Sequence, residues 1–218
     1  MGGYDLTQKE DRLKLADLAF TYPKGLHVRK HGPRYTGTGW EIYRDWVRDE
    51  FQYRCVFSLV REVWPSTQFH IDHLVPRAER KDLTCEYDNL LYLTSQLNLK
   101  KGKRSIPDPC KYDLAKCLRL QLSGDRFGLV EALNEAGQFW EAVFRLNSED
   151  AVAERRKLIG ILRSVAIASE PLFRELIGYP KSSLPDLESK SEDDNSRPEG
   201  KARCAFAILR AGHLPDYY

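Results

Sequence analysis

Two short strand-like runs followed at once by a helical segment constrain the fold of this chain more than any other feature. The first run, FHIDHLV, covers residues 69–75 and stops before Pro76, and the second, LLYLT, covers 90–94. The segment TSQLNLKKGKR predicts a helix that begins at a Thr or Ser cap and ends near Gly102. Together they predict a hairpin whose first strand ends beside a helix.

The segments around this hairpin predict mostly helical flanks, so the predicted fold class is α+β. Apolar residues recur at helical spacing over 6–20 and 40–51, and again in a long segment that follows Ser148. Residues 116–146 predict a strand or two and a helix. Between the first two helices, residues 22–39 are rich in Gly, Pro and basic side chains, which is typical of a loop.

Composition excludes several classes of protein. The 218 residues are 42% hydrophobic and 30% charged, and the net charge of +2 does not by itself demand a polyanionic partner. No apolar run approaches the roughly 18 residues of a membrane span, and the first residues lack a signal pattern. The five cysteines form no C-x-x-C pair, which favours a reduced cytoplasmic protein over a disulfide framework.

Polar residues of metal-site chemistry interrupt the hairpin and the helix. Asp72 and His73 end the first run, Asn89 opens the second, and Asn98 lies in the helix ahead of the pair Lys101-Gly102. This ordered set resembles the HNH endonucleases of ββα-metal fold. Their pattern is an Asp-His pair at a strand end with Pro three residues on, a middle Asn, and Asn-x-x-Lys-Gly on the helix. The match covers about residues 55–103.

The resemblance implies a metal-dependent endonuclease that hydrolyses phosphodiester bonds in DNA, ahead of RNA. It assigns His73 as general base, Asp72 and Asn98 as ligands of Mg²⁺ or Mn²⁺, and Asn89 as structural support of the loop between the strands. The chemistry suits these residue types, because Mg²⁺ prefers oxygen ligands and an imidazole of pKa about 6.5 can accept a proton at pH 7. His70 is a further candidate ligand, although such a histidine is more often structural.

Strand geometry conflicts with one part of this assignment. Neighbouring residues of a regular strand point to opposite faces, so Asp72 and His73 cannot share one. Pro76 indicates that the strand is already ending, which relaxes the constraint. The expectation that Asp72, His73 and Asn98 converge therefore comes from the resemblance and not from periodicity.

A basic cluster at the end of the helix predicts contacts with nucleic-acid phosphates. An alternative is a solvated helix end, because cations suit helix C-termini, and the two interpretations are compatible. Arg29, Lys30 and His31 could extend the same track. The residues predicted to bind nucleic acid are Lys100, Lys101, Lys103, Arg104 and, in the preceding loop, Arg77.

Many relatives carry a structural zinc that is bound by two C-x-x-C pairs. The position of the first pair is here Cys55-Val56-Phe57-Ser58, and the second pair has no cysteine. Four tetrahedral ligands cannot be assembled from Cys55 alone. The sequence therefore predicts no structural zinc, and apolar packing by Val56, Phe57, Leu93 and Leu97 in its place.

The resemblance also suggests a context and leaves an alternative. Small HNH proteins of this kind resemble nuclease effectors of bacterial antiphage systems, which often pair with an ATPase subunit. The alternative is a non-cleaving nucleic-acid-binding or interaction subunit built on a degenerate HNH fold, and no membrane association is expected. The predicted segments are an N-terminal helix and basic loop (1–39), the HNH core (40–110), helices packed on that core (111–180), a flexible linker (181–201) and a C-terminal docking segment (202–218).

Overall fold

The computed structural model describes residues 4–34, 39–64 and 67–215, and it has mixed α+β structure, as predicted. The described strands are β1 (Phe69–His73), β2 (Leu90–Thr94), β3 (Leu118–Leu120) and β4 (Val130–Ala132). The α-helices of the described residues are α1 (Lys9–Leu18), α2 (Arg44–Glu50), α3 (Ser95–Lys101), α4 (Glu135–Phe144), α5 (Glu149–Ala168), α6 (Glu170–Ile177) and α7 (Ala205–Arg210). None of the described helices is long and apolar enough to cross a membrane.

The chain forms two compact units whose boundaries differ from the predicted segments. One unit consists of the residues up to Leu26 together with Tyr112–Gly178, and the other consists of His27–Lys111 together with Tyr179–Pro215. The predicted segment 1–39 is therefore divided, because α1 packs against α5 and α6 while the basic loop joins the unit of the hairpin. The long-range pairing of α1 with helices near the other end of the chain left no signal in its own sequence.

The helical unit is built around α5. Helix α1 packs on it, and the buried guanidinium of Arg12 donates to the carbonyl oxygens of Leu6, at 2.7 Å, and Ala166, at 2.6 Å. The antiparallel strands β3 and β4 precede α4, whose first turn is capped by Asn134 accepting from the Gly137 N–H at 2.9 Å. These elements account for the strand or two and the helix predicted between residues 116 and 146.

The second unit contains the antiparallel hairpin of β1 and β2, followed directly by α3. The register pairs Phe69 with Thr94 and His73 with Leu90. Thr94 has extended backbone angles at the helix N-cap, and Gly102 ends the helix with a φ of +57°, a conformation that glycine adopts without strain. The predicted start and end of this helix are confirmed.

The segment that follows Cys55 contributes packed side chains and an ion-pair network. Phe57, Leu93 and Leu97 are buried. The Arg48 guanidinium donates to both carboxylate oxygens of Glu62, at 2.6 and 3.2 Å, and the Tyr92 hydroxyl donates to the same carboxylate at 2.7 Å. The network joins α2, β2 and the turn that follows Cys55, so polar contacts supplement the apolar packing that the sequence predicts.

Residues 29–31 of the basic loop are held by contacts within the unit of the hairpin. Arg29 and His31 are buried, and Glu50 accepts from the backbone N–H groups of Lys30 and His31, both at 3.0 Å. Burial alone would raise the pKa of the Asp49 carboxyl, but the Lys30 ammonium and the His31 ring hold that pKa below its usual value. The expectation that Arg29, Lys30 and His31 extend a phosphate-binding track is therefore wrong.

The predicted linker and docking segment are also packed into this second unit. The Asn195 amide oxygen accepts from the backbone N–H groups of Gly32, at 2.7 Å, and Arg197, at 3.0 Å. The Ala205 N–H donates to the Asp49 carboxylate at 2.6 Å. Polar and charged residues are abundant in 181–201, and the side chains of Asn195, Ser196 and Arg197 bond to the backbone of the basic loop. These contacts hold the end of the segment in this structure, and the flexible linker over 181–201 stays a prediction.

Candidate metal and catalytic site

The side chains of β1 divide between two faces. His70 and Asp72 lie on the face that α3 approaches: the Asn98 amide nitrogen is 3.3 Å from Nδ1 of His70, and the Lys101 ammonium is 3.1 Å from Oδ2 of Asp72. His73 belongs to the opposite face, with Phe69 and Ile71. The hairpin and α3 thus bring His70, Asp72 and Asn98 to one side of the strand.

Lys101 is a buried partner of Asp72. Its side chain is 1% exposed, whereas that of Asp72 is 15% exposed. The phosphate contact of Lys101 stays a prediction, since in this conformation its ammonium is buried and pairs with a carboxylate instead of facing solvent. The physical reason is that Lys101 lies four residues after Leu97, on the helix face that packs inward.

The residues on this face fit a hard divalent cation. Mg²⁺ usually takes one or two protein oxygens and keeps several waters, so a carboxylate and an amide suffice. Oδ2 of Asp72 is buried and has the Lys101 ammonium as its charged partner at 3.1 Å, so a cation would share this carboxylate with Lys101. Asn98 can supply its amide oxygen. The Asn98 amide donates to Nδ1 of the neighbouring His70, so the two side chains orient each other.

The ring of His73 is buried, and its contacts fix its orientation. Its residue exposure is 5%, and its ring packs edge-on against Trp40 with centroids 5.4 Å apart. Nε2 lies 3.0 Å from the Thr84 carbonyl oxygen, which only accepts, so in the neutral ring Nε2 carries the hydrogen and Nδ1 keeps the lone pair. Burial holds the pKa of His73 below 6.5, against the smaller raising effects of the Thr84 carbonyl and the Asp72 carboxylate. Burial therefore favours the neutral form of the imidazole.

The expected convergence around one cation is thus only partly present. Asp72 and Asn98 share a face, but the ring of His73 is buried on the other face, which is what the alternation of a regular strand requires. Thr84 and Trp40 contact His73 and were not among the predicted site residues. Trp40 begins the segment WEIYRDWVRDEF, whose helical pattern gave no indication of that contact.

Asn89 fixes the loop that carries Thr84. Its amide oxygen accepts from the Val75 N–H at 2.9 Å, and its amide nitrogen donates to the carbonyl oxygens of Val75, at 3.1 Å, and Leu83, at 3.0 Å. These bonds join both ends of the loop between the strands. Because Thr84 follows Leu83 directly, Asn89 also holds the acceptor of His73 in place.

Replacing Asn89 with alanine should lower the free energy of unfolding by about 3 kcal/mol, since three hydrogen bonds of about 1 kcal/mol each are lost at a buried residue. Urea unfolding followed by circular dichroism measures the change. Asn98→Ala is the matched control and should change stability by about 0.5 kcal/mol or less, because its amide is exposed. Equal losses in the two variants would contradict the assignment.

The remaining basic residues divide between helix-end contacts and open surface. The Arg104 guanidinium donates to the carbonyl oxygens of Lys100, at 2.7 Å, and Lys101, at 3.2 Å, which satisfies groups at the C-terminus of α3. Arg77 and Lys103 are exposed, and Lys100 is half-buried. Arg77 and Lys103 are therefore the members of the predicted cluster best exposed to a phosphate backbone.

Similarity to known proteins does not assign this chain to a family. Its site is defined by the side chains described above, from Asp72 and Asn98 on one face of β1 to His73 on the other. No family model, no curated protein and no solved structure matches the sequence or the fold.

Proposed function

We propose that this chain is a metal-dependent endonuclease of the HNH type, which hydrolyses phosphodiester bonds in DNA. The observation that carries the proposal is the ββα arrangement of β1, β2 and α3, in which Asp72 and Asn98 come from separate elements to one face. The loop contacts of Asn89 and the bond from His73 to Thr84 give further support, since each orients a residue that the proposed chemistry needs.

Asp72 and Asn98 would hold Mg²⁺ or Mn²⁺, with His70 as a further candidate ligand. When bound, the cation supplies positive charge that stabilises the developing charge on the phosphate and the leaving oxygen. His73 accepts the proton of the attacking water at Nδ1, and the Thr84 carbonyl stabilises the resulting imidazolium through Nε2–H. The mechanism requires water at Nδ1 of a ring that is largely buried.

Two observations favour a second candidate, a non-cleaving subunit on an inactive HNH fold that binds nucleic acid or another protein. The ring of His73 is buried, and Lys101 already pairs with the carboxylate of Asp72. Both features are compatible with a site that serves as a structural core. The proposed partner ATPase and the antiphage role rest on the HNH resemblance alone and remain predictions.

A cleavage assay on the purified full chain tests the proposal. Supercoiled plasmid, single-stranded DNA and RNA are incubated with the protein in Mg²⁺, in Mn²⁺ and in EDTA. We expect nicked or linear plasmid with either cation and intact plasmid in EDTA. Binding of DNA in a gel-shift assay without cleavage of any substrate would favour the nucleic-acid-binding subunit, and absence of both would favour the interaction subunit.

A further inference from the structure

Lys101 places a positive charge where the proposed cation would bind. Its ammonium lies 3.1 Å from Oδ2 of Asp72, and neither atom has a hydrogen-bond partner among the described residues. The side chain of Lys101 is buried, and an ammonium out of water is stable only beside an opposite charge. Asp72 therefore already has a counter-ion when no metal is present.

The net charge of the face that carries Asp72 and Asn98 determines how the Asp72–Lys101 pair affects its affinity for a divalent cation. Asp72 contributes one negative charge, Lys101 cancels it, and the Asn98 amide is neutral. Cation affinity of an oxygen-ligand site rises with the number of ligand charges, because attraction scales with charge and falls with distance. A site whose carboxylate is neutralised attracts a divalent cation weakly.

Resting on the proposed function, we propose that Lys101 is a resident counter-ion that keeps the affinity of the Asp72 site for divalent cations low until a nucleic-acid phosphate is present. The phosphate adds negative charge to the site and offers the ammonium a new acceptor. A lysine suits this exchange, since its charge sits on a flexible four-carbon stem. Metal and substrate then bind together, and the protein without DNA carries little metal.

Mn²⁺ binding to the full chain without nucleic acid tests the inference. Electron paramagnetic resonance of free Mn²⁺ gives the dissociation constant for wild type, Lys101→Met and Lys157→Met, an exposed lysine of α5 that serves as control. We expect Lys101→Met to bind Mn²⁺ at least tenfold more tightly than wild type, and Lys157→Met to match wild type. Adding Asp72→Asn to Lys101→Met should abolish the gain. Equal or weaker binding by Lys101→Met overturns the proposal.

If Lys101→Met folds poorly, the melting temperature of a second variant, Lys101→Gln, tests the same inference. Bound ligand raises the melting temperature, so Mn²⁺ should raise Tm more in Lys101→Gln than in wild type, and an equal rise contradicts the inference. Metal titration and cleavage separate the two proposals. If wild type cleaves DNA but the Lys101 variants do not bind Mn²⁺ more tightly, the counter-ion role of Lys101 is rejected and the nuclease proposal stands. Tighter binding in the variants with no cleavage of any substrate rejects the nuclease and retains the cation site.

Discussion

Replacing His73 with alanine is expected to lower the rate of DNA cleavage by about 10²–10⁴-fold, the range associated with loss of a general base. The variant keeps Asp72 and Asn98, so Mn²⁺ binding should remain close to that of wild type. Single-turnover cleavage of a labelled duplex in Mg²⁺ measures the loss, because it separates the chemical step from product release. The fall in rate without a fall in metal affinity is the result that identifies a base.

The pH dependence gives this prediction a second readout. Burial holds the pKa of His73 below 6.5, and a protonated imidazole cannot accept a proton. The cleavage rate should therefore fall as pH falls through a value below 6.5, and His73→Ala should lack this limb. The same shift makes the unfolded chain bind more protons than the folded one, so stability decreases as pH falls below 6.5.

His213→Ala is the matched control, because His213 is exposed and lies in the same unit. We expect its cleavage rate and pH profile to equal those of wild type. A loss of less than about tenfold in His73→Ala, well under the range for a general base, would remove His73 from the mechanism. An equal loss in both variants would mean that alanine substitution of any histidine impairs the preparation.

Asp72→Asn should damage both cleavage and stability. It removes the proposed charged ligand, and loss of several kcal/mol of charge stabilisation lowers the rate by about 10²-fold or more. It also leaves the ammonium of Lys101 buried without its counter-ion, which should lower the free energy of unfolding by about 3 kcal/mol. Plasmid cleavage and urea unfolding of the same preparation measure the two effects.

Two further variants show whether the stability effect comes from the ion pair. Asp82→Asn alters an exposed carboxylate that pairs with exposed Arg80, and its free energy of unfolding should stay close to that of wild type, because exposed ion pairs contribute little. The double variant Asp72→Asn/Lys101→Met should recover part of the lost stability, because the unpaired charge is removed with its partner. A double variant less stable than Asp72→Asn would contradict the pairing.

Local signals were sufficient to predict the hairpin and the helix, but burial depended on distant parts of the chain. Gly102 marks the end of α3 because a positive φ favours glycine. The inward position of Lys101 was also readable, since it lies four residues after the buried Leu97. The basic cluster predicts a phosphate contact for Lys101, whereas helix periodicity predicts its burial.

Other features left no signal in their own segment of sequence. The acceptor of His73 is a backbone carbonyl, which any residue at position 84 could supply. The contacts of Asn195 with Gly32 join residues that lie far apart in the chain, so the composition of 181–201 suggested disorder. Arg29 and His31 looked like surface cations because their partners come from other elements: the Arg29 guanidinium donates to the Leu90 carbonyl at 2.8 Å, and the His31 ring pairs with Asp49.

The unit that carries the candidate site is discontinuous in the chain. Residues 112–178 are inserted between its two parts, and the part after residue 178 supplies Asn195 and Ala205 to the basic loop and α2. A gene fragment that ends after Gly102 would therefore encode an incomplete unit, in which the Asp49 carboxylate lacks the N–H donor of Ala205. Exchange of the inserted helices, by contrast, would leave every side chain of the site in its own module.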